Sequence, residues 1–130
     1  MMNFGKLAIS SNIINKNSKL SADEYELLKS NVYYLKQALQ NIYGFDDIAK
    51  LASRHHEKLT GDGYPSALSA KNLSLKDRLI SIINIYNACL TEKSYREKYN
   101  KAQTIKIIHK IANNGEIDKA LVEDLEHLLI

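Results

Sequence analysis

Apolar residues recur at helical steps through most of the chain. Leu28, Val32, Leu35, Leu39 and Ile42 fall at steps of four and three, on one stripe of a helix. Ser21-Ala22-Asp23-Glu24 opens it with the capping-box pattern, and Gly44 stands at its end. The spacing predicts one long helix from Ser21 to near Gly44. A second helix is expected from about Asp46 to His56, with Ile48, Leu51 and Ala52 facing in and Asp46 and Asp47 at its positive end. Lys58 to Asn72 reads as a loop. Ser74 then caps a helix in which Leu75, Leu79, Ile82, Tyr86 and Cys89 recur, with Ile80, Ile83, Ile85 and Leu90 widening its apolar surface. Such a helix belongs at the centre of a bundle. A polar connection from about Glu92 to Asn100 leads to a helix at Lys101–Asn113 that uses Ile105, Ile108 and Ala112 and ends at Gly115. The last helix starts near Asp118 and is expected to bury Leu121, Leu125 and Leu128. The polar stretch from Ser10 to Lys19 reads as a loop pinned by Ile13 and Ile14. No segment alternates with period two, so the fold class is all-α, a helical bundle of about five helices.

Composition adds limits more than direction. The 130 residues suit a single domain spanning 1–130, with 45% hydrophobic and 25% charged residues. A net charge of +3 is too small to imply nucleic-acid binding and suits a modest anionic ligand. One cysteine, Cys89, excludes an internal disulfide and reads as a buried small hydrophobe. No apolar run approaches the roughly 20 residues of a membrane span. The opening Met1-Met2-Asn3-Phe4-Gly5-Lys6 lacks a signal-peptide pattern, so a cytoplasmic protein is expected. His109 and His127 lie far from any motif and are expected at the surface, and Tyr33, Tyr34 and Tyr43 at the edge of the core.

Chemistry concentrates at residues 55–65, His55-His56-Glu57-Lys58-Leu59-Thr60-Gly61-Asp62-Gly63-Tyr64-Pro65. Paired imidazoles and a carboxylate precede a two-glycine turn that closes on the only proline of the chain. The run resembles the HHExxxGxGYP signature of the HD-GYP family, metal-dependent phosphodiesterases that cleave cyclic di-GMP. The likeness extends along the chain. Gly5-Lys6 and Ile13-Ile14-Asn15-Lys16 look like the segment after the family's HD pair. Arg78-Leu79-Ile80 through Asn87-Ala88 look like RIxxxADxxDA, and Ser94-Tyr95-Arg96 resembles PYR.

The same register exposes departures. The HD pair falls on Met2 and Asn3, the histidine of the next helix on Asn31, and the aspartates of the AD motif on Asn84 and Asn87. The aspartate before the first glycine of the turn falls on Thr60. Of the ligands that the resemblance implies, His55 and His56 remain, with Glu57 beside them. Amides are weak neutral donors, and a thioether does not suit iron, manganese or magnesium. Histidines adjacent on a helix also point about 100° apart, which works against joint chelation of one metal. A metal-bound hydroxide is hard to build from this set.

The resemblance therefore implies a degenerate domain without a cofactor, acting as a protein-interaction or nucleotide-sensing module. Lys6, Tyr64, Lys93 and Arg96 are the candidate ligand residues for cyclic di-GMP. Gly61, Gly63, Tyr64 and Pro65 form the candidate recognition loop, toward a GGDEF-type cyclase domain among other signalling partners. The alternative is a working phosphodiesterase with a reduced iron, manganese or magnesium site on His55 and His56, with Lys6 and Glu57 in the chemistry. The family domain has further helices before its HD motif. Their lack here implies uncovered apolar surface and a homodimer.

Overall fold

The computed structural model describes residues 4–93 and 96–129. Met2 and Asn3, at the family's HD positions, lie outside the described residues, as do Ser94 and Tyr95 of the PYR-like element. The described residues are all-α. A 3-10 turn at Phe4–Ala8 leads to α1 (Ser11–Ile14), α2 (Ala22–Lys29), α3 (Asn31–Gln40), α4 (Asp46–Ala52), α5 (Leu75–Leu90), α6 (Lys101–Asn113) and α7 (Lys119–Leu129). Among them, β pairing is confined to the isolated bridges Thr60–Ser69 and Lys93–Arg96.

Two packed groups share the molecule. Leu35, Leu39, Ala49 and Ala52 join α3 to α4, with Phe45 against them. Ile82, Ile108, Ala112, Ile117 and Val122 join α5, α6 and α7. Polar ties link the groups: Arg54 pairs with Asp77 at 3.2 Å, and the Leu59 amide donates to Glu116 O at 2.9 Å.

Several expectations need correction. The predicted helix from Ser21 to Gly44 is two helices, broken at Ser30. There the Ser30 hydroxyl donates to Leu27 O, and the Asn31 amide nitrogen donates to Leu28 O. These short polar side chains compete for carbonyls that a continuous helix would use. The Ser21–Glu24 capping box is present as expected. Helix α4 ends at Ala52, short of His56, and turns its alanines inward while Ile48 is exposed. The expected core residue Leu128 is 84% exposed, and Val122 takes the buried position on α7. Leu75 and Leu79 are exposed as well, so α5 is covered on one side only. Tyr33, Tyr34 and Tyr43 also stand exposed. The stretch Ser10–Lys19 contains the short α1, with Ile13 and Ile14 half-buried. Helix α6 carries a capping box from Asn100 and Gln103, a second form of the pattern that opens α2.

Candidate functional site

The 55–65 run lies beyond the end of α4, where the chain turns. Its geometry differs from that of neighbours on a helix. The His55 and His56 rings lie side by side, centroids 4.1 Å apart, because the helix has already stopped. Tyr64 stacks on His56, at 4.6 Å and 22°. The Lys29 ammonium stands 5.7 Å from the Tyr64 centroid. His55 Nδ1–H donates to Ala52 O, which fixes the ring. Burial first, then the neighbouring His55 and the Lys6 charge, push His56 down to about 3. Burial lowers His55 too, with Lys6 acting the same way, and burial raises the Tyr64 phenol. The stack is therefore neutral at physiological pH.

Glu57 is neither solvated nor bound to a histidine. Only 2% exposed, its carboxylate accepts from the Ser66 amide at 2.7 Å and the Leu68 amide at 2.8 Å. The two bonds hold the segment after Pro65 against the histidine turn. Ala67, between the two amides, sits at φ 50°. Gly63 passes so close to this turn that a Cβ would meet Glu57 Cα at 2.6 Å and His56 O at 2.7 Å. The loop is further tied by Tyr64 N to His56 O at 3.2 Å and by Lys58 to Glu116 at 2.7 Å. Arg78 closes the far side, donating to Ala70 O, Leu73 O and Asp118.

The candidate ligand residues separate into three places. Lys6 and Lys93 line one cleft of about 560 Å³, together with Ile13, Lys16, Lys19 and Leu28. Lys16 is already paired with Glu24 at 2.6 Å. Burial, and then the charge of Lys93, hold the Lys6 ammonium below its ordinary value. Gly5 makes this possible, since any side chain there would strike the Asn31 carbonyl of α3. Tyr64 belongs instead to the histidine stack. Arg96 is engaged at the end of α5, where its guanidinium donates to Ala88 O at 2.9 Å and Glu97 O at 2.8 Å and lies 4.2 Å from the Tyr99 centroid. The roles of Glu57, Arg78 and Arg96 are tertiary, and spacing alone carries no signal for them. Lys16 stood in the quoted Ile13-Ile14-Asn15-Lys16 segment, but nothing in the chain order joins it to Lys93.

Among the described residues, the donors at the family's metal positions are His55 and His56 with the amides Asn31 and Asn84, a set poor in the carboxylates that hard cations prefer. Asn31 is 1% exposed, and its Oδ1 has no hydrogen-bond partner among the described residues. Asn84 is half-buried on α5, one turn beyond Ser81, and Asn87 is exposed. Among the described residues no three His, Cys, Asp or Glu side chains gather where they could hold an ion. No helix of the described residues is long and apolar enough to cross a membrane.

Comparison with known proteins places this geometry. A family model described as HD domain matches residues 1–121. The chain is 36% identical over 92 residues to a 3'3'-cGAMP-specific phosphodiesterase 3 of Vibrio cholerae serotype O1, covering 71% of this chain and 20% of that protein. It is 27% identical over 119 residues to the 3'3'-cGAMP-specific phosphodiesterase 1 of the same organism, covering 92% and 28%. A cyclic di-GMP phosphodiesterase response regulator of Xanthomonas campestris pv. campestris is 32% identical over 98 residues, covering 73% and 26%. The chain thus spans less than a third of the length of each of these relatives. HD-domain phosphodiesterases of this kind are metal-dependent. With a helical bundle, an HHExxxGxGYP turn and a family match over nearly its whole length, the chain belongs to the HD domain family and is HD-GYP-like.

Proposed function

We propose that this chain is a non-catalytic HD-GYP-like domain of cyclic-dinucleotide signalling in the cytoplasm, which senses cyclic di-GMP without cleaving it. The observation that carries this reading is the meeting of Lys6 with Lys93 in one cleft, with Glu92 also on its lining, in a chain where the family's aspartates fall on Asn84 and Asn87. Burial and the Lys93 charge disfavour the Lys6 ammonium, so a phosphate between the two side chains favours it. Lys6 and Lys93 bind the phosphates as point charges. Arg96 ties the end of α5 to the segment after it that carries Lys93, and Tyr64 covers His56. The Gly61–Pro65 turn, held from behind by Glu57, presents a rigid rim to a GGDEF-type cyclase domain or other signalling partner.

Calorimetric titration with cyclic di-GMP tests this. A saturable signal is expected from the wild type, lost in Lys6→Ala with Lys93→Ala and much reduced in either single variant. Absence of any signal at millimolar ligand would remove the nucleotide from the reading. One observation favours the rival enzyme: His55 Nδ1–H bonded to a carbonyl leaves Nε2 bare, which is how metal-ligating histidines are oriented. Under that reading, His55 and His56 hold iron, manganese or magnesium, and titration with manganese gives binding that His55→Gln abolishes.

A further inference from the structure

We propose that Glu92 reads the base of the nucleotide held in the Lys6–Lys93 cleft, selecting guanine over adenine. This rests on the phosphate reading above and adds to it the choice of base. The cleft has two characters. Lys6, Lys16, Lys19 and Lys93 bring positive charge to it, and the half-buried Ile13, Ile14, Leu20 and Leu28 give it apolar wall. A nucleotide has the same two parts, charged phosphates and a flat base with apolar faces. The cleft volume of about 560 Å³ lies within the range of small-molecule sites.

Among the described lining residues Glu92 alone carries a carboxylate, and it forms no ion pair with any of the four lysines. Lys16 is paired instead with Glu24 of α2, at 2.6 Å. The oxygens of Glu92 are therefore not spent on neutralising the cleft. The backbone that carries Glu92 is held on both sides. Helix α5 ends at Leu90, the Thr91 hydroxyl donates to Asn87 O at 2.7 Å, and Lys93 exchanges backbone bonds with Arg96 at 2.8 and 3.1 Å. An ionised carboxylate only accepts hydrogen bonds. The Watson–Crick edge of guanine offers two neighbouring donors, N1–H and the N2 amino group, one for each oxygen. Adenine sets a bare N1 acceptor beside its N6 amino group, so one oxygen would face a lone pair. For phosphate alone a carboxylate in the cleft is a cost, which the two donors of a guanine on the same ligand offset.

Calorimetric titration with cyclic di-GMP, cyclic di-AMP and inorganic pyrophosphate, on the wild type and on Glu92→Gln, tests this. The wild type should bind cyclic di-GMP about tenfold more tightly than cyclic di-AMP, or better, as hydrogen bonds to a charged group allow. In Glu92→Gln, cyclic di-GMP should weaken by about tenfold and come level with cyclic di-AMP, while pyrophosphate binds no more weakly than before. Glu92 is exposed, so the variant should keep the helical circular dichroism. Equal affinity of the wild type for both nucleotides, lost in Lys6→Ala with Lys93→Ala, overturns the base reading and leaves the phosphate reading standing. So does a Glu92→Gln that tightens both nucleotides alike, the mark of a carboxylate that only repels anions. No binding of either nucleotide to the wild type removes both readings together.

Discussion

The loop after α4 and the cleft beside it share one turn of chain but are built on opposite principles. In the loop nearly every buried polar group has a partner. Glu57 holds two amides, Arg78 three acceptors, and Lys58 reaches Glu116. Around the cleft the balance is looser: Lys6 meets Lys93, with Glu92 also on the lining, and Asn31, which packs on Gly5, has a buried Oδ1 without a partner among the described residues. The difference teaches that this turn is held by its own hydrogen bonds, independently of the donors at the family's metal positions.

The largest break in that contrast should come from Glu57→Ala. It leaves two buried amides unsatisfied and should cost about 3 kcal/mol in urea unfolding. An equally stable variant would mean that the loop is held by something else. Ala67→Gly sharpens the point from the other side. At φ 50° a glycine relieves strain, so a gain of about 1 kcal/mol is expected, with no change in ligand affinity.

Acid should act on the loop side. Bonds from Lys58 and Arg78 hold Glu116 and Asp118 below 4.5 and 3.8, their ordinary values. A carboxylate with a lowered folded pKa adds stability above its unfolded value and loses it as pH falls through the folded one. Stability should therefore decline below about pH 4.5, and Lys58→Met with Arg78→Met should flatten the decline measured by thermal melts. The smallest effect is expected at Asn31. Replacing a half-satisfied buried amide by an apolar side chain of similar size is nearly neutral, so Asn31→Leu should stay close to wild-type stability. A large loss would mean that Oδ1 has a partner in solution.

Helix-forming periodicity was legible wherever a strong stripe or cap stood alone. Lys101–Asn113 matches its predicted span, and Ser74 and Ser21 cap where expected. The break at Ser30 was not legible, because the apolar stripe runs straight through it and the deciding contacts are side chain to carbonyl. On α7 the predicted stripe holds in part: Leu121 and Leu125 pack against the core, Val122 beside them is fully buried, and Leu128 is exposed. At the site, the motif located His55, His56 and the turn. It could not place Arg96, whose family position suggests phosphate but whose guanidinium donates to the Ala88 and Glu97 carbonyls. Nor could it assign Glu57, because a loop clamp involves residues nine and eleven positions away that no short motif encodes.

The heart of the proposal is a pocket that binds phosphate without breaking its ester. Incubating the purified chain with cyclic di-GMP in added manganese or iron, and following the linear dinucleotide, asks this directly. Intact cyclic di-GMP after many hours is the outcome expected here. Steady release of linear product that stops in His55→Gln would contradict it.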